Sequence, residues 1–187
     1  MGLRRGFKSE ADQIAREIRS ELGLAPAACL DPWHLARHLE IPIVGLSEVA
    51  DTAPNAAREF GIVDTAAFSA VTVFRGHVRE IVHNDFHVPG RQASNVAHEL
   101  SHGLLLHPPA PALNDLGLRD WDAALEEEAN WLAGALLIPV EAAMLIARQG
   151  WSDELAAEKY KVSQRMVLFR MNVTAARRRV QRERHNR

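Results

Sequence analysis

Apolar residues first recur at helical spacing: Ala11, Ile14, Ala15, Ile18 and Leu22 share one face of residues 9–22. Ser9 reads as the N-cap of that helix and Gly23 as its stop. "DPWHLARHLE" predicts a short second helix, capped by Asp31, with Pro32 at the first helical position, where a missing N–H is tolerated. The texture then changes. "IPIVGL" (41–46), "EFGIVD" (59–64), "FSAVTVF" (68–74) and "VREIVHN" (78–84) are short, β-branched-rich runs that read as strands. Pro42 puts the first at an edge or a strand start, and Arg75-Gly76-His77 joins the last two as a compact hairpin. From Gly90 onward the period is helical again. One helix is expected from about Arg91 to Leu106, stopped before Pro108-Pro109, then a proline-rich loop over 108–119. A second helix is expected from about Asp122 to Ile138, halted by Pro139, and two or three short helices complete the chain. Helices, a small antiparallel or mixed sheet, then more helices make an α+β fold.

With 187 residues, 47% of them hydrophobic, the chain can bury one domain-sized core. A net charge of −2 carries no overall nucleic-acid signature. The charge is uneven, however: "RRRVQRERHNR" (177–187) sets six arginines against Glu183. Such a block reads as a solvated helix end or, alternatively, as a basic arm for an acidic partner or nucleic acid. Cys29 stands alone, which excludes an intrachain disulfide and an all-cysteine zinc site. The charged N-terminus lacks the apolar core of a signal peptide. The longest apolar run, 131–140, contains Pro139 and is too short to span a bilayer. The expectation is a soluble, cytoplasmic protein without a membrane partner.

The chemistry concentrates in "NVAHELSHGLLLH" (95–107), where His98, Glu99 and His102 form H-E-x-x-H. On a helix, residues four apart differ by about 40° around the axis, so both imidazoles leave one face about a turn apart. Two ring nitrogens so placed can take adjacent corners of a zinc tetrahedron. Glu99 lies about 100° from His98 and about 60° from His102, within reach of a metal-bound water as a base. Ala93, Ala97, Leu100 and Leu104 occupy a separate arc that can be buried. His107 is not expected to ligate. On a continued helix it would point about 180° from His98, and its spacing misses H-E-x-x-H-x-x-G-x-x-H. It reads as a packed residue near the negative end of the helix dipole.

A third ligand is expected from "LEEEANWLAGALLIP" (125–139). Its apolar arc is Leu125, Ala129, Leu132, Ala133, Leu136 and Leu137. Glu126 sits at the edge of that arc, Glu127 faces away, and Glu128 lies on the opposite border. The pattern ranks Glu126 ahead of Glu128 without excluding the latter. Asn130, one turn beyond Glu126, is expected to fix the far ring nitrogen of a ligand histidine.

"NVAHELSHGLLLH", "EEEANWLAGALLIP" and "AAEKYKVSQRMVLFRM" together resemble the ImmA/IrrE family of metallopeptidases, over roughly residues 60–172. The expected organisation is a zincin-like metallopeptidase domain with N-terminal helices over 1–150 and a helical, helix-turn-helix-like extension with a basic tail over 151–187. The resemblance implies a gluzincin-like zinc endopeptidase. It implies Glu126 as the metal carboxylate, being ten residues before Leu136 of the L-L-x-P signature, and one zinc per chain. It also implies a helix-turn-helix repressor as the protein substrate, whose cleavage relieves repression in a stress response. Ile138 replaces a frequent methionine of the family, and Trp131 stands where other residues are common. In this reading His98, His102 and Glu126 hold the metal and Glu99 moves the proton. Imidazole and carboxylate donors also accept other divalent metals. Two other readings compete. Ser152 and Ser163 can cap two helices joined at Lys161-Val162, a helix-turn-helix arrangement that would make the protein a DNA-binding regulator with a non-catalytic zinc site. A zinc aminopeptidase would need a pocket for a chain terminus, and no such signature is present.

Overall fold

The computed structural model describes residues 2–76, 78–108 and 122–186. The proline-rich loop read at 108–119 lies, beyond Pro108, outside these residues, as does His77 of the hairpin turn. Among the described residues the order is α1 (Phe7–Glu21), α2 (Pro32–His38), β1 (Ile43–Gly45), α3 (Pro54–Arg58), β2 (Ala70–Arg75), β3 (Val78–His83), α4 (Pro89–Leu104), α5 (Ala123–Leu137), α6 (Val140–Gln149), α7 (Asp153–Tyr160), α8 (Gln164–Thr174) and α9 (Ala176–His185). The fold is α+β, with a mixed three-stranded sheet in the order β1-β3-β2. β1 runs parallel to β3, pairing Ile43 with Ile81, and β2 runs antiparallel to it, pairing Thr72 with Ile81. β1 and β2 are therefore the two edges.

Two local readings change. α1 begins at Phe7 behind a left-handed Gly6, not at a Ser9 cap. The Phe7 ring is fully buried and extends the stripe of Ala11, Ala15 and Ile18 by one turn, so burial draws the start upstream. Residues Glu59–Val63, read as a strand, form a π-helical turn that continues α3, with Asp64 N–H donating to the Glu59 carbonyl at 2.7 Å. A short apolar run has no period that separates strand from helix. Tertiary pairing decides here: the Asn84 side chain donates to the carbonyls of Phe60 (2.8 Å) and Phe68 (3.1 Å).

α4 and α5 occupy the centre and face two apolar clusters. Val96, Leu100, Leu132 and Leu136 pack with Phe7, Leu30, Leu35 and Ile81 of the N-terminal helices and sheet. Ala97, Ala133, Leu137 and Ile138 pack instead with Ile146, Val167, Met171 and Val180 of the C-terminal helices. The helices α7, α8 and α9 thus share a core with the preceding segment. The approach is close at Gly134, where an added Cβ would lie 2.9 Å from Cδ of Arg170, and at Gly90, where it would lie 2.8 Å from the Val162 carbonyl carbon.

The last carbonyls of α5 have no partner within their own helix. Two buried arginines from opposite ends of the chain supply one. Arg19 of α1 donates to the Leu136 carbonyl at 2.6 Å, and Arg170 of α8 donates to the Ile138 carbonyl at 2.8 Å. Burial pushes the Arg19 pKa down to about 10, so the side chain remains cationic at neutral pH. Positive charge at a helix C-terminus also complements the dipole. At the other end of α5, Asp122 accepts from the N–H groups of Ala124 (2.9 Å) and Leu125 (3.3 Å).

That cap orders the turn carrying Glu126. Asp122→Ala is expected to lower stability by about 1 kcal/mol in urea unfolding. It should also weaken divalent-metal binding, because the first turn of α5 frays.

Candidate active site

The H-E-x-x-H helix forms as the sequence pattern requires. Pro89 starts α4, and Ala93, Val96, Ala97 and Leu100 are buried on its inner face. His98 and His102 leave an adjoining face, with ring Nε2 atoms 3.1 Å apart. α5 brings Glu126 against them: its carboxylate oxygens lie 3.1 Å from His98 Nε2 and 3.6 Å from His102 Nε2. Four ligands at 2.0–2.1 Å around zinc are separated by roughly 3.3 Å along each edge of their tetrahedron. The three measured separations fall around that value, so this donor set fits a small divalent cation. His98, His102 and Glu126 form the group of metal-competent side chains found among the described residues. Burial favours the neutral form of Glu126, but hydrogen bonds to His102 and His98 outweigh it and hold the carboxyl well below the usual range. Glu126 is therefore ionised and ready to ligate.

Glu99 is buried, with 4% of its surface exposed, and accepts a hydrogen bond from Thr72 Oγ1 at 2.6 Å. It lines a cleft of about 360 Å³ together with His98, Glu126, Asn130, Ser94 and Ala66–Ala70. Its carboxylate is thus anchored by edge strand β2 beside the metal-competent group, without being a member of it. The sequence reading missed Thr72. The available signal was a hydroxyl between Val71 and Val73 of a predicted strand, since a polar group facing a helix needs a partner.

Asn130 does not make the contact expected of it. It stands in the cleft wall, while the far nitrogen of His98, Nδ1, is buried without a hydrogen-bond partner. The far nitrogen of His102, Nδ1, meets Nδ1 of His107 at 2.9 Å. A helix continued to Leu106 would point His107 away from His98 and His102. Instead α4 ends at Leu104, and Leu106 adopts a left-handed conformation at φ 54°. His107 N–H then donates to the His102 carbonyl at 3.0 Å and Leu106 N–H to the Gly103 carbonyl at 3.1 Å, the pairing of a Schellman stop. The reversal lays the His107 ring on His102, at 5.0 Å between centroids. Burial, reinforced by the neighbouring His102, pushes the His107 pKa below the ordinary histidine value.

Glu128 is also absent from the metal-competent group. One of its oxygens pairs with Arg4 Nε at 2.9 Å and the other lies 3.7 Å from His107 Nε2. Glu127 is exposed. Three further polar groups that could serve as hydrogen-bond donors are engaged elsewhere. Tyr160 donates to the Ala27 carbonyl (2.8 Å), His87 Nε2 meets the Thr65 carbonyl (2.7 Å), and His83 stacks edge-on with Trp33. Trp131 packs under Lys8 and edge-on to Phe169, and it does not line the cleft.

A model of the IrrE N-terminal-like domain, a peptidase family, matches residues 57–172, which include α4, α5 and β2. No curated protein and no solved structure matches the chain. Over well more than half of its length the sequence answers to that one family, and the chain belongs to the ImmA/IrrE metallopeptidases.

Proposed function

We propose that the protein is a zinc-dependent endopeptidase with His98, His102 and Glu126 as metal ligands and Glu99 as the catalytic base. The observation that carries this reading is the His98–His102–Glu126 triangle on the wall of a cleft that also holds Glu99. Three protein donors are one fewer than close a structural zinc site. A bound divalent cation would supply a Lewis acid and acidify a water molecule. Glu99, fixed by Thr72, takes the proton from the attacking water and delivers it to the leaving amine. Edge strand β2 begins at the cleft, so an extended peptide can pair with it as an added strand. An unfolded linker meets that requirement; the helix-turn-helix repressor proposed as the substrate, in the cytoplasm, comes from the family resemblance. Among the described residues no single helix is long and apolar enough to cross a membrane.

The DNA-binding alternative has less support. α7 and α8 are capped by Ser152 and Ser163 and joined through a left-handed Lys161, as a helix-turn-helix requires. However, α8 uses Val167, Arg170 and Met171 in the core and Met166 at the cleft. That leaves only part of its surface for a DNA groove. Salt-sensitive, sequence-selective DNA binding by the intact protein would revive this reading.

Elemental analysis of zinc-loaded protein is expected to give about one zinc per chain. Glu99→Gln should retain that zinc and lose roughly 10²–10⁴-fold in cleavage of the repressor encoded beside its gene. Cleavage at the wild-type rate by this variant rules out Glu99 as the base. Thr72→Val should keep full zinc content while lowering kcat/KM by roughly ten-fold, as expected for loss of a hydrogen bond to a charged group worth about 1.5 kcal/mol. An unchanged kcat/KM would remove Thr72 from the site.

A further inference from the structure

We propose that His107 is a positioning residue for the metal centre, accepting a hydrogen bond from His102 Nδ1 and so holding His102 in the tautomer that offers Nε2 to a cation. The inference rests on the metal-centre reading above and concerns a residue outside the ligand triangle.

Two ring nitrogens 2.9 Å apart share one proton: one donates it and the other accepts it. If His102 Nδ1 were the acceptor, a neutral His102 would carry its proton on Nε2. That proton would point at His98 Nε2 and Glu126 and block ligation. If His102 Nδ1 donates, Nε2 presents a lone pair to the triangle. His107 then accepts on Nδ1 and must carry its own proton on Nε2. The surroundings favour this arrangement. His107 Nε2 is buried without a hydrogen-bond partner and faces a Glu128 oxygen at 3.7 Å, so a proton there meets negative charge. At the other end, a cation held in the triangle would take the lone pair of His102 Nε2, which leaves the His102 proton on Nδ1. With a cation in place, both ends of the His102–His107 pair therefore bias the shared proton the same way. A metal-ligating histidine commonly has its second nitrogen fixed by a carboxylate, a carbonyl or water. Here a second histidine occupies that position, delivered by the left-handed stop at Leu106. His107 thus fills the role that the sequence pattern had assigned to Asn130.

The test measures zinc affinity of the full-length protein by competition with a chromophoric chelator. His107→Leu removes the acceptor and is expected to weaken zinc binding by roughly 10–100-fold. His107→Asn places an amide oxygen near the position of Nδ1 and should restore affinity to within roughly three-fold of wild type. Circular dichroism checks that each variant folds. If His107→Leu does not, the asparagine variant and the following spectrum decide. A long-range proton–nitrogen spectrum of zinc-loaded, histidine-labelled wild type should show His102 protonated at Nδ1. Wild-type affinity in His107→Leu, equal losses in the leucine and asparagine variants, or a His102 proton on Nε2 would each overturn the proposal. Failure of the wild type to bind zinc overturns the metal-centre reading together with it.

Discussion

Two imidazoles and a carboxylate from different helices can share one small cation only if the helices keep a fixed register. A slip of one residue turns a side chain by about 100° and moves it about 1.5 Å along the axis, more than a ligand shell tolerates. The α4–α5 contact is built to prevent that slip. Val96, Leu100, Leu132 and Leu136 are locked into one apolar cluster, and Ala97, Ala133 and Leu137 into another. A pair of helices held from both sides cannot rotate without exposing one core or the other. The small residues Ala97 and Ala133 favour close helix packing, and Gly134 admits the Arg170 stem.

The segments outside the family match contribute to the same end. Arg19 and Phe7 lie upstream of residue 57, yet one satisfies the last turn of α5 and the other fills the cluster beneath it. Arg170 lies near the downstream limit of the match and satisfies the Ile138 carbonyl, two residues further on. A helix that ends at a proline inside the core would otherwise bury unpaired acceptors, each costing about 1–3 kcal/mol. The ends of the chain thus fix α5, and α5 presents Glu126. Arg4 extends this dependence toward the metal-competent group by pairing with Glu128 beside His107.

The sheet is small because its task is local. β3 anchors it to the core through the fully buried Ile81, and β2 is left as an edge with Thr72 turned to α4. One strand thereby holds the proposed base and borders the cleft. A substrate strand added there would be aligned by the same backbone that orients Glu99, which is how a small fold can couple binding to chemistry.

Much of this was legible in the chain itself. H-E-x-x-H on a helix with a separate apolar arc determines that His98 and His102 share a face, because helical geometry acts over four residues and needs no tertiary partner. The arc of the second helix likewise placed Glu126 at its edge, and the Asp31, Ser152 and Ser163 caps follow from short-range hydrogen bonding. The α+β order was readable from the change of hydrophobic period. What only the tertiary structure decided were the contacts between residues distant in the chain or beyond a helix end. Thr72 reaches Glu99 across 27 positions, and no local pattern encodes that pairing. Residues 59–63 form a helical turn that Asn84 holds from a distance through the carbonyls of Phe60 and Phe68. His107 is packed and outside the metal-competent group, as its spacing indicated, but its direction was not legible: extrapolating a helix assumes right-handed dihedrals throughout, and one left-handed residue at Leu106 reverses the chain and returns the ring to His102.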